Sequence, residues 1–234
     1  MSESIDVVIT AIRRPDLFAL MCASFFGGQL TGAPRFRLII NVDPLGPGTA
    51  REVIDIAEGY SDQVVYRCPQ QASFSAAINW CFDQLKSELA FHIEDDWLLL
   101  EPVEFASLAA ELTGNVAQIR LPYRHPLSAP GPYSFRPNLF KVDSVKSALS
   151  VPPQEDPEKW FAKSLPADCG KDFGGRALVE DMGRKWAKGQ GIRKVGGADW
   201  FTARPAGLLA AVDWKIAMYR YRRIAKRWSA KCEY

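Results

Sequence analysis

Short apolar runs alternate with amphipathic stretches along the N-terminal half of the chain. Ile5 to Ala11 is β-branched and apolar, the pattern of a buried strand. Arg13-Arg14-Pro15-Asp16 interrupts it. Pro15 suits the first turn of a helix that continues from Leu17 to Phe26 and stops at Gly27-Gly28. Phe36 to Val42 predicts a second strand, ended by Asp43-Pro44 and a Gly/Pro loop. Thr49 to Tyr60 reads as a helix, Val64 to Cys68 as a short strand, Phe74 to Lys86 as a helix and Leu89 to Ile93 as a fourth strand. Strands separated by single helices predict a parallel α/β sheet. Its strand exits carry Thr10, Arg13, Asp43 and an acidic cluster, and ligands of open α/β sheets bind at such exits.

The C-terminal half is less regular. Phe105 to Leu112 is helical in spacing, and Val116 to Leu121 predicts a strand. Pro122 to Pro137 is rich in Pro, Gly, Ser and Tyr and is expected to be a loop facing substrate. Pro152 to Gly175 is again punctuated by Pro and Gly and is expected to be a mobile loop. Ala177 to Lys188 predicts a helix, Ile192 to Val195 a short strand, and Gly207 to Trp228 a long terminal helix.

The chemistry concentrates where the fourth strand ends. The apolar run Leu89 to Ile93 passes directly into Glu94-Asp95-Asp96, and apolar residues resume at Trp97. Three adjacent carboxylates repel one another, so the pattern asks for a counter-charge. Mg²⁺ and Mn²⁺ prefer one or two carboxylates together with phosphate oxygens. A solvated acidic turn has the same composition, but its place at a strand exit favours a metal and a phosphorylated ligand.

Composition narrows the alternatives. The chain has 234 residues, enough for one large domain, and its charged content of 24% and hydrophobic content of 47% are those of a globular protein. A net charge of +2 names no partner. The cysteines Cys22, Cys68, Cys81, Cys169 and Cys232 form no CxxC pair, which argues against a zinc site or disulfide scaffold and for a reducing compartment. His92 and His125 are the only histidines, so chemistry needing several His ligands is excluded. His92, inside an apolar strand, reads as structural, and Trp97 as a core anchor. The acidic, polar N-terminus is unlike a secretory signal, and no apolar run approaches the roughly 20 residues of a membrane span.

In combination the motifs resemble those of a GT-A glycosyltransferase, most similar to the family 2 type. The resemblance spans residues 5 to about 204 and rests on Thr10-Ala11-Ile12-Arg13-Arg14-Pro15-Asp16, Asn41-Val42-Asp43, Phe74-Ser75-Ala76-Ala77-Ile78-Asn79-Trp80, Glu94-Asp95-Asp96-Trp97 and Val179-Glu180-Asp181-Met182-Gly183-Arg184. It implies an α/β, Rossmann-like nucleotide-diphospho-sugar transferase fold in one domain. Residues 1–100 would bind the nucleotide, residues 101–206 the acceptor, and 207–234 would add a basic helix.

The resemblance also implies roles. Glu94-Asp95-Asp96 would be the DXD-type motif, with Asp96 on a Mn²⁺ or Mg²⁺ ion that bridges the diphosphate, Glu94 near the ion or the ribose, and Asp95 in the donor site. Asp43 would accept from the base, with uracil and hence a UDP-sugar as the first expectation. Thr10, Arg13, Ser75 and Asn79 would line the donor pocket. Asp181, or its neighbour Glu180, would be the general base, which implies inversion at the anomeric carbon. On a helix the two point about 100° apart, so only one can face the acceptor. Relatives often supply a late His to the metal. This chain has none after His125, which leaves Arg193, Lys194 or Arg204 to meet the diphosphate.

The segment Trp214 to Lys231 carries Lys215, Arg220, Arg222, Arg223, Lys226, Arg227 and Lys231 without an acid, and Trp214, Ala217, Tyr221, Ile224 and Trp228 form one apolar stripe. It fits a solvated face, an anionic membrane surface or nucleic acid phosphates. The expected acceptor is a surface or lipid-linked glycan, in a cytoplasmic protein with peripheral contact at the inner membrane face through residues 214–231. The alternatives are a DNA glycosyltransferase acting on hydroxymethylated bases, a nucleotidyltransferase, and a non-catalytic binding module with a degenerate site. The nucleotidyltransferase would want a Gly-rich phosphate loop, and Ala11 to Asp16 contains no glycine.

Overall fold

The computed structural model describes residues 4–123 and 131–189, the backbone of 192–193 and 202–203, and Tyr219. Arg204, Lys194 and nearly all of the basic terminal segment lie outside the described residues, as does the Arg193 side chain.

The chain runs β1 (Ser4–Ile12), α1 (Pro15–Phe26), β2 (Leu30–Thr31), β3 (Arg35–Asp43), α2 (Ala50–Glu58), β4 (Gln63–Arg67), α3 (Phe74–Asp83) and β5 (Leu89–Glu94). It continues with β6 (Trp97–Leu99), β7 (Val103–Glu104), α4 (Phe105–Ala110), β8 (Gln118–Arg120), β9 (Asn138–Lys141), α5 (Val142–Val145) and α6 (Pro157–Ser164). Then come β10 (Gly170–Asp172), β11 (Val179–Asp181), α7 (Gly183–Gly189), β12 (Ile192–Arg193) and β13 (Thr202–Ala203).

Seven strands form the central sheet in the order β10-β8-β9-β5-β1-β3-β4. The predicted parallel core is present: β1 lies between β3 and β5 and runs parallel to both. The sheet as a whole is mixed, because β9 runs antiparallel to β5 and β8. That strand was not expected from the sequence. Asn138 to Lys141 is only four residues long and follows a Pro-rich stretch, so nothing local marks it.

Strand alternation builds two cores. Val7, Ile9, Leu38, Ile40, Phe91 and Ile93 meet Phe18, Met21 and Phe25 of α1 and Val53 and Ile54 of α2. On the other face Val8 and Ile39 meet Cys81 of α3, and Ala90 and Phe140 meet Phe82 of α3 and Phe161 of α6. Phe91 and Phe161 are fully buried, and truncating either to Ala is worth about 3–5 kcal/mol. Thr49 starts α2 with a reciprocal capping box to Glu52, and Asp156 caps α6 through the Glu158 and Lys159 amides.

At the N-terminal edge Asp6 is buried. It accepts from Arg37 Nε at 2.7 Å and from the Lys86 and Ser87 amides at 2.5 and 3.0 Å. Burial pushes its carboxyl up, but these donors outweigh it and the net shift is downward.

Two expectations are corrected. Pro152 to Gly175 is not one loop, since it contains α6 and β10. Ala177 to Lys188 is not one helix: Val179 to Asp181 is a strand, and the helix begins at Gly183. Leu178, Met182 and Trp186 do recur at helical spacing, but the free edge of β6 supplies backbone partners, and tertiary pairing overrides the local pattern. His92 is structural, as expected: fully buried, edge-on to the Phe135 ring, with burial holding its imidazole neutral down to about 3.

Candidate active site

The parallel strands β1, β3 and β5 end in register: Thr10 is opposite Asn41 and Glu94, and Ile12 is opposite Asp43. Thr10, Arg13, Asp43 and the acidic triplet therefore share one edge of the sheet, at the point where the strand order reverses around β1. Thr10 Oγ1 and Arg13 Nε are buried and have no hydrogen-bond partner among the described residues. Asp43 is engaged: Oδ1 accepts from Asn41 Nδ2 at 2.7 Å and Oδ2 from the Ser73 amide at 3.1 Å. Burial pushes its carboxyl up, against these two donors and the nearby Arg67.

The triplet divides its labour. Asp95 turns inward. Its Oδ2 accepts from Arg14 Nε at 3.1 Å and from the Ile12 amide at 3.2 Å, Arg14 Nη2 closes a second contact on Oδ1, and its own amide donates to Thr10 O. Burial raises Asp95 to about 6 against the pull of Arg14. Arg14 is itself buried, and the two carboxylates beside it stabilise its charge. It also donates from Nη2 to Asp96 Oδ2 at 3.1 Å and stands over the Trp186 ring, 5.2 Å from its centroid. Asp96 remains one-fifth exposed, and Glu94 accepts from the Trp97 indole N–H at 3.2 Å.

The second motif arrives on a ribbon. β11 pairs antiparallel with β6, with Asp181 opposite Trp97, and the Met182 amide donates to Asp96 O at 2.8 Å. Leu17, Leu20, Leu98, Met182 and Trp186 form a small core that seals this ribbon and α7 onto α1. Because Glu180 and Asp181 are strand neighbours they face opposite ways, about 180° apart rather than the 100° of a helix. Glu180 pairs with Lys185. Asp181 lines the main cleft and accepts from the Gly183 amide at 2.9 Å. Burial, and next the charge of Asp96, push its carboxyl up against the Gly183 and Arg184 amides. A raised carboxylate beside a strand exit suits proton abstraction near neutral pH.

The cleft measures about 1110 Å³, and Glu94, Trp97, Ser75, Tyr123, Arg136 and Asp181 are among its lining residues. Ser75 and Asn79 are less available than the sequence suggested. Ser75 Oγ donates to Glu155 O at 2.8 Å, and the Asn79 amide is bonded at both ends to the Val151 backbone at 2.9 Å. Both fasten the 151–155 strap to α3. Trp97 is a core residue, as expected, and also part of the cleft wall. Residues 132–136 of the expected substrate-facing loop do line the cleft. Arg14 was passed over in favour of Arg13. The signal was present in the sequence: an Arg before Pro15, needed to balance three carboxylates.

No three Asp, Glu, His or Cys groups converge as a ready metal cage among the described residues. The arrangement does suit an ion held by one or two carboxylates and completed by phosphate oxygens. Asp96 is partly exposed, shares Arg14 with Asp95, and its charge still reaches Asp181.

No protein-family model and no curated protein matches the chain. Solved structures do. TarS from S. aureus, residues 1–349, superposes with a TM-score of 0.58 at 10% identity over 79% of this chain and 62% of that one, so the chain spans about three-fifths of it. TarS is also known in complex with UDP and with UDP-GlcNAc. The mannosyltransferase PcManGT from Pyrobaculum calidifontis, in complex with GDP-Man and Mn²⁺, gives 0.55 at 14% identity over 97% of this chain and 74% of that one. HddC from Yersinia pseudotuberculosis gives 0.52 at 12% identity over 76% and 94%. The fold is thus the GT-A-like glycosyltransferase fold, which at these identities is what the likeness establishes. No described helix is long and apolar enough to cross a membrane.

Proposed function

We propose that the protein is an inverting, metal-dependent glycosyltransferase that moves a sugar from a nucleotide-sugar to an acceptor hydroxyl. The observation that carries this reading is the β6/β11 ribbon, which pairs Asp181 with Trp97 and bonds the Met182 amide to Asp96 O, so that Asp96 stands at the strand exit close enough for its charge to act on Asp181 in the cleft wall.

The donor diphosphate lies at the strand exits, where Thr10 Oγ1 and Arg13 Nε offer unused polar atoms and Asp43 meets the base. UDP is the favoured nucleotide. Asp96 would hold Mn²⁺ or Mg²⁺, and such an ion would supply positive charge to neutralise the leaving diphosphate. Arg14 keeps Asp95 and Asp96 apart from each other's repulsion while the site is assembled. Asp181 takes the proton from the acceptor oxygen as that oxygen attacks the anomeric carbon. Glu180, engaged by Lys185 on the other side of the strand, has no part in this step. Arg184, within 3.7 Å of Asp181 Oδ2, orients the base. Residues 1–100 serve the donor and the cleft beyond serves the acceptor, here taken as a glycan. The relatives bound to UDP-GlcNAc and GDP-Man support a nucleotide-sugar, and the one with Mn²⁺ supports the ion.

The test is titration calorimetry with UDP in the presence and absence of Mn²⁺, followed by a nucleotide-sugar panel scored by release of nucleoside diphosphate. Metal-dependent UDP binding with release from one donor is the expected result. A folded protein that binds no nucleotide with or without metal removes the proposal and leaves the degenerate binding module.

A further inference from the structure

The wall of the cleft built from residues 120–136 carries charge of one sign. Among its described residues, 120–123 and 131–136, Arg120 and Arg136 fall within it, and no Asp or Glu does. Arg120 Nε stands 2.8 Å, and Arg136 Nη2 2.7 Å, from the same oxygen of Asp172, whose side chain is fully enclosed. One carboxylate therefore answers two guanidinium groups.

Arg120 has further acceptors, donating from Nη1 to Pro132 O at 2.7 Å and from Nη2 to Gly170 O at 3.4 Å. Arg136 is less satisfied. Its Nε is buried and has no hydrogen-bond partner among the described residues. Its guanidinium lies 5.5 Å from the centroid of the Tyr123 ring, and Tyr123 stands edge-on to Trp97 at 5.6 Å. Trp97 in turn donates to Glu94. Arg136, Tyr123, Trp97, Glu94 and Asp181 all line the same cleft.

The surplus is local to the two arginines, since five acids and four bases line the cleft as a whole and, among the described residues, Asp172 is the carboxylate in ion-pair contact with Arg136. Asp156 is engaged as the cap of α6, and Glu158 accepts from Ser134 Oγ at 2.6 Å. A half-neutralised cation in a largely buried wall is costly unless a ligand supplies the missing charge. The planar guanidinium fork matches a carboxylate or phosphate with two parallel hydrogen bonds, and the adjacent aromatic rings offer an apolar surface to a sugar face.

We propose that Arg136, backed by Arg120, is an anion-recognition subsite, and that the acceptor is a sugar or polyol unit bearing a phosphate or carboxylate group. The inference rests on the glycosyltransferase reading of the cleft and adds the chemical class of the acceptor.

The experiment measures binding of glucose 6-phosphate, glucuronic acid and glucose by calorimetry, with and without UDP and Mn²⁺, to the wild-type chain and to Arg136→Met and Arg136→Lys. At least one anionic sugar should bind about tenfold or more tightly than glucose, the worth of a hydrogen bond to a charged group. The two anionic probes separate a phosphate from a carboxylate. The preference should collapse in Arg136→Met, be partly kept in Arg136→Lys, and be competed by inorganic phosphate if phosphate is the group. UDP affinity should be unchanged in both variants. Equal binding of glucose and the anionic sugars, an undiminished preference in folded Arg136→Met, or binding of a short DNA duplex with no binding of either anionic sugar overturns the subsite. Loss of UDP binding in the wild-type chain while the anion preference persists counts instead against the donor reading.

Discussion

Gly183 lies against Asp96. A Cβ built on this glycine would stand 2.1 Å from Asp96 Oδ2. The first residue of α7 thus fixes where the Asp96 carboxylate can sit. Gly183→Ala must displace Asp96, and a displacement of about 1 Å at a reacting centre costs on the order of 10²-fold in rate. Transfer should fall by about that factor, and Mn²⁺-dependent UDP affinity should weaken, while the circular dichroism spectrum is unchanged. Full activity in Gly183→Ala would detach Asp96 from the chemistry.

Asp181→Asn should lower turnover by about 10²–10⁴-fold with donor affinity intact, the usual contribution of a general base. Because burial and Asp96 raise the Asp181 carboxyl, the ionised base is gained as pH climbs through that raised value. Wild-type kcat should therefore rise with pH through a value above that of an ordinary carboxylate, and that limb should vanish in Asp181→Asn. Glu180→Gln should change kcat little, since its carboxylate pairs with Lys185 on the opposite side of the strand. A dead Glu180→Gln beside an active Asp181→Asn would exchange the two roles.

Arg14→Met leaves two carboxylates without their shared cation. Removing one partner from a buried ion pair costs about 3–5 kcal/mol, so urea unfolding should report a loss of that order. Mn²⁺ should recover part of it, giving the variant a larger metal-dependent rise in Tm than the wild-type protein. An equal rise in both would mean that Arg14 and the ion do not act on the same charges.

Asn79→Ala separates structure from binding. Its amide is bonded at both ends to Val151, so truncation should cost about 1–3 kcal/mol of stability and leave UDP affinity unchanged. A selective loss of UDP affinity at unchanged stability would return Asn79 to the donor pocket.

Asp6 gives a pH signature far from the site. Its folded value is depressed, so its contribution is present above the unfolded carboxylate value near 4 and is lost as pH falls through the folded one. Asp6→Asn should be less stable than the wild-type protein at pH 7, and the gap should narrow toward pH 3. A gap that stays constant with pH would remove Asp6 from the acid response.

The parallel core was legible in the sequence because its strands bury most of both faces and read as largely apolar runs. Ile5 to Ala11 and Phe36 to Val42 are of that kind, each broken by two polar residues. The placement of Thr10, Asp43 and the triplet at the ends of those strands was legible for the same reason. What escaped depends on partners distant in sequence. β9 is defined by β5 and β8, and β11 by the edge of β6, so neither has a signature of its own. The engaged states of Ser75 and Asn79 likewise depend on a strap some seventy residues later. Arg14 and Arg13 are adjacent and chemically alike, and only the fold decides which of them turns inward to Asp95.

The ribbon that joins Trp97 to Asp181 has a consequence for how such a chain can change. Its two strands fix Asp181 against the Asp96-Trp97 turn directly, through main-chain bonds that do not pass through the polypeptide between them. That polypeptide includes β8, β9 and β10 of the central sheet, so only its surface turns are free to vary. A change of length at the exposed turn 113–115 should leave the spacing of the two carboxylates untouched.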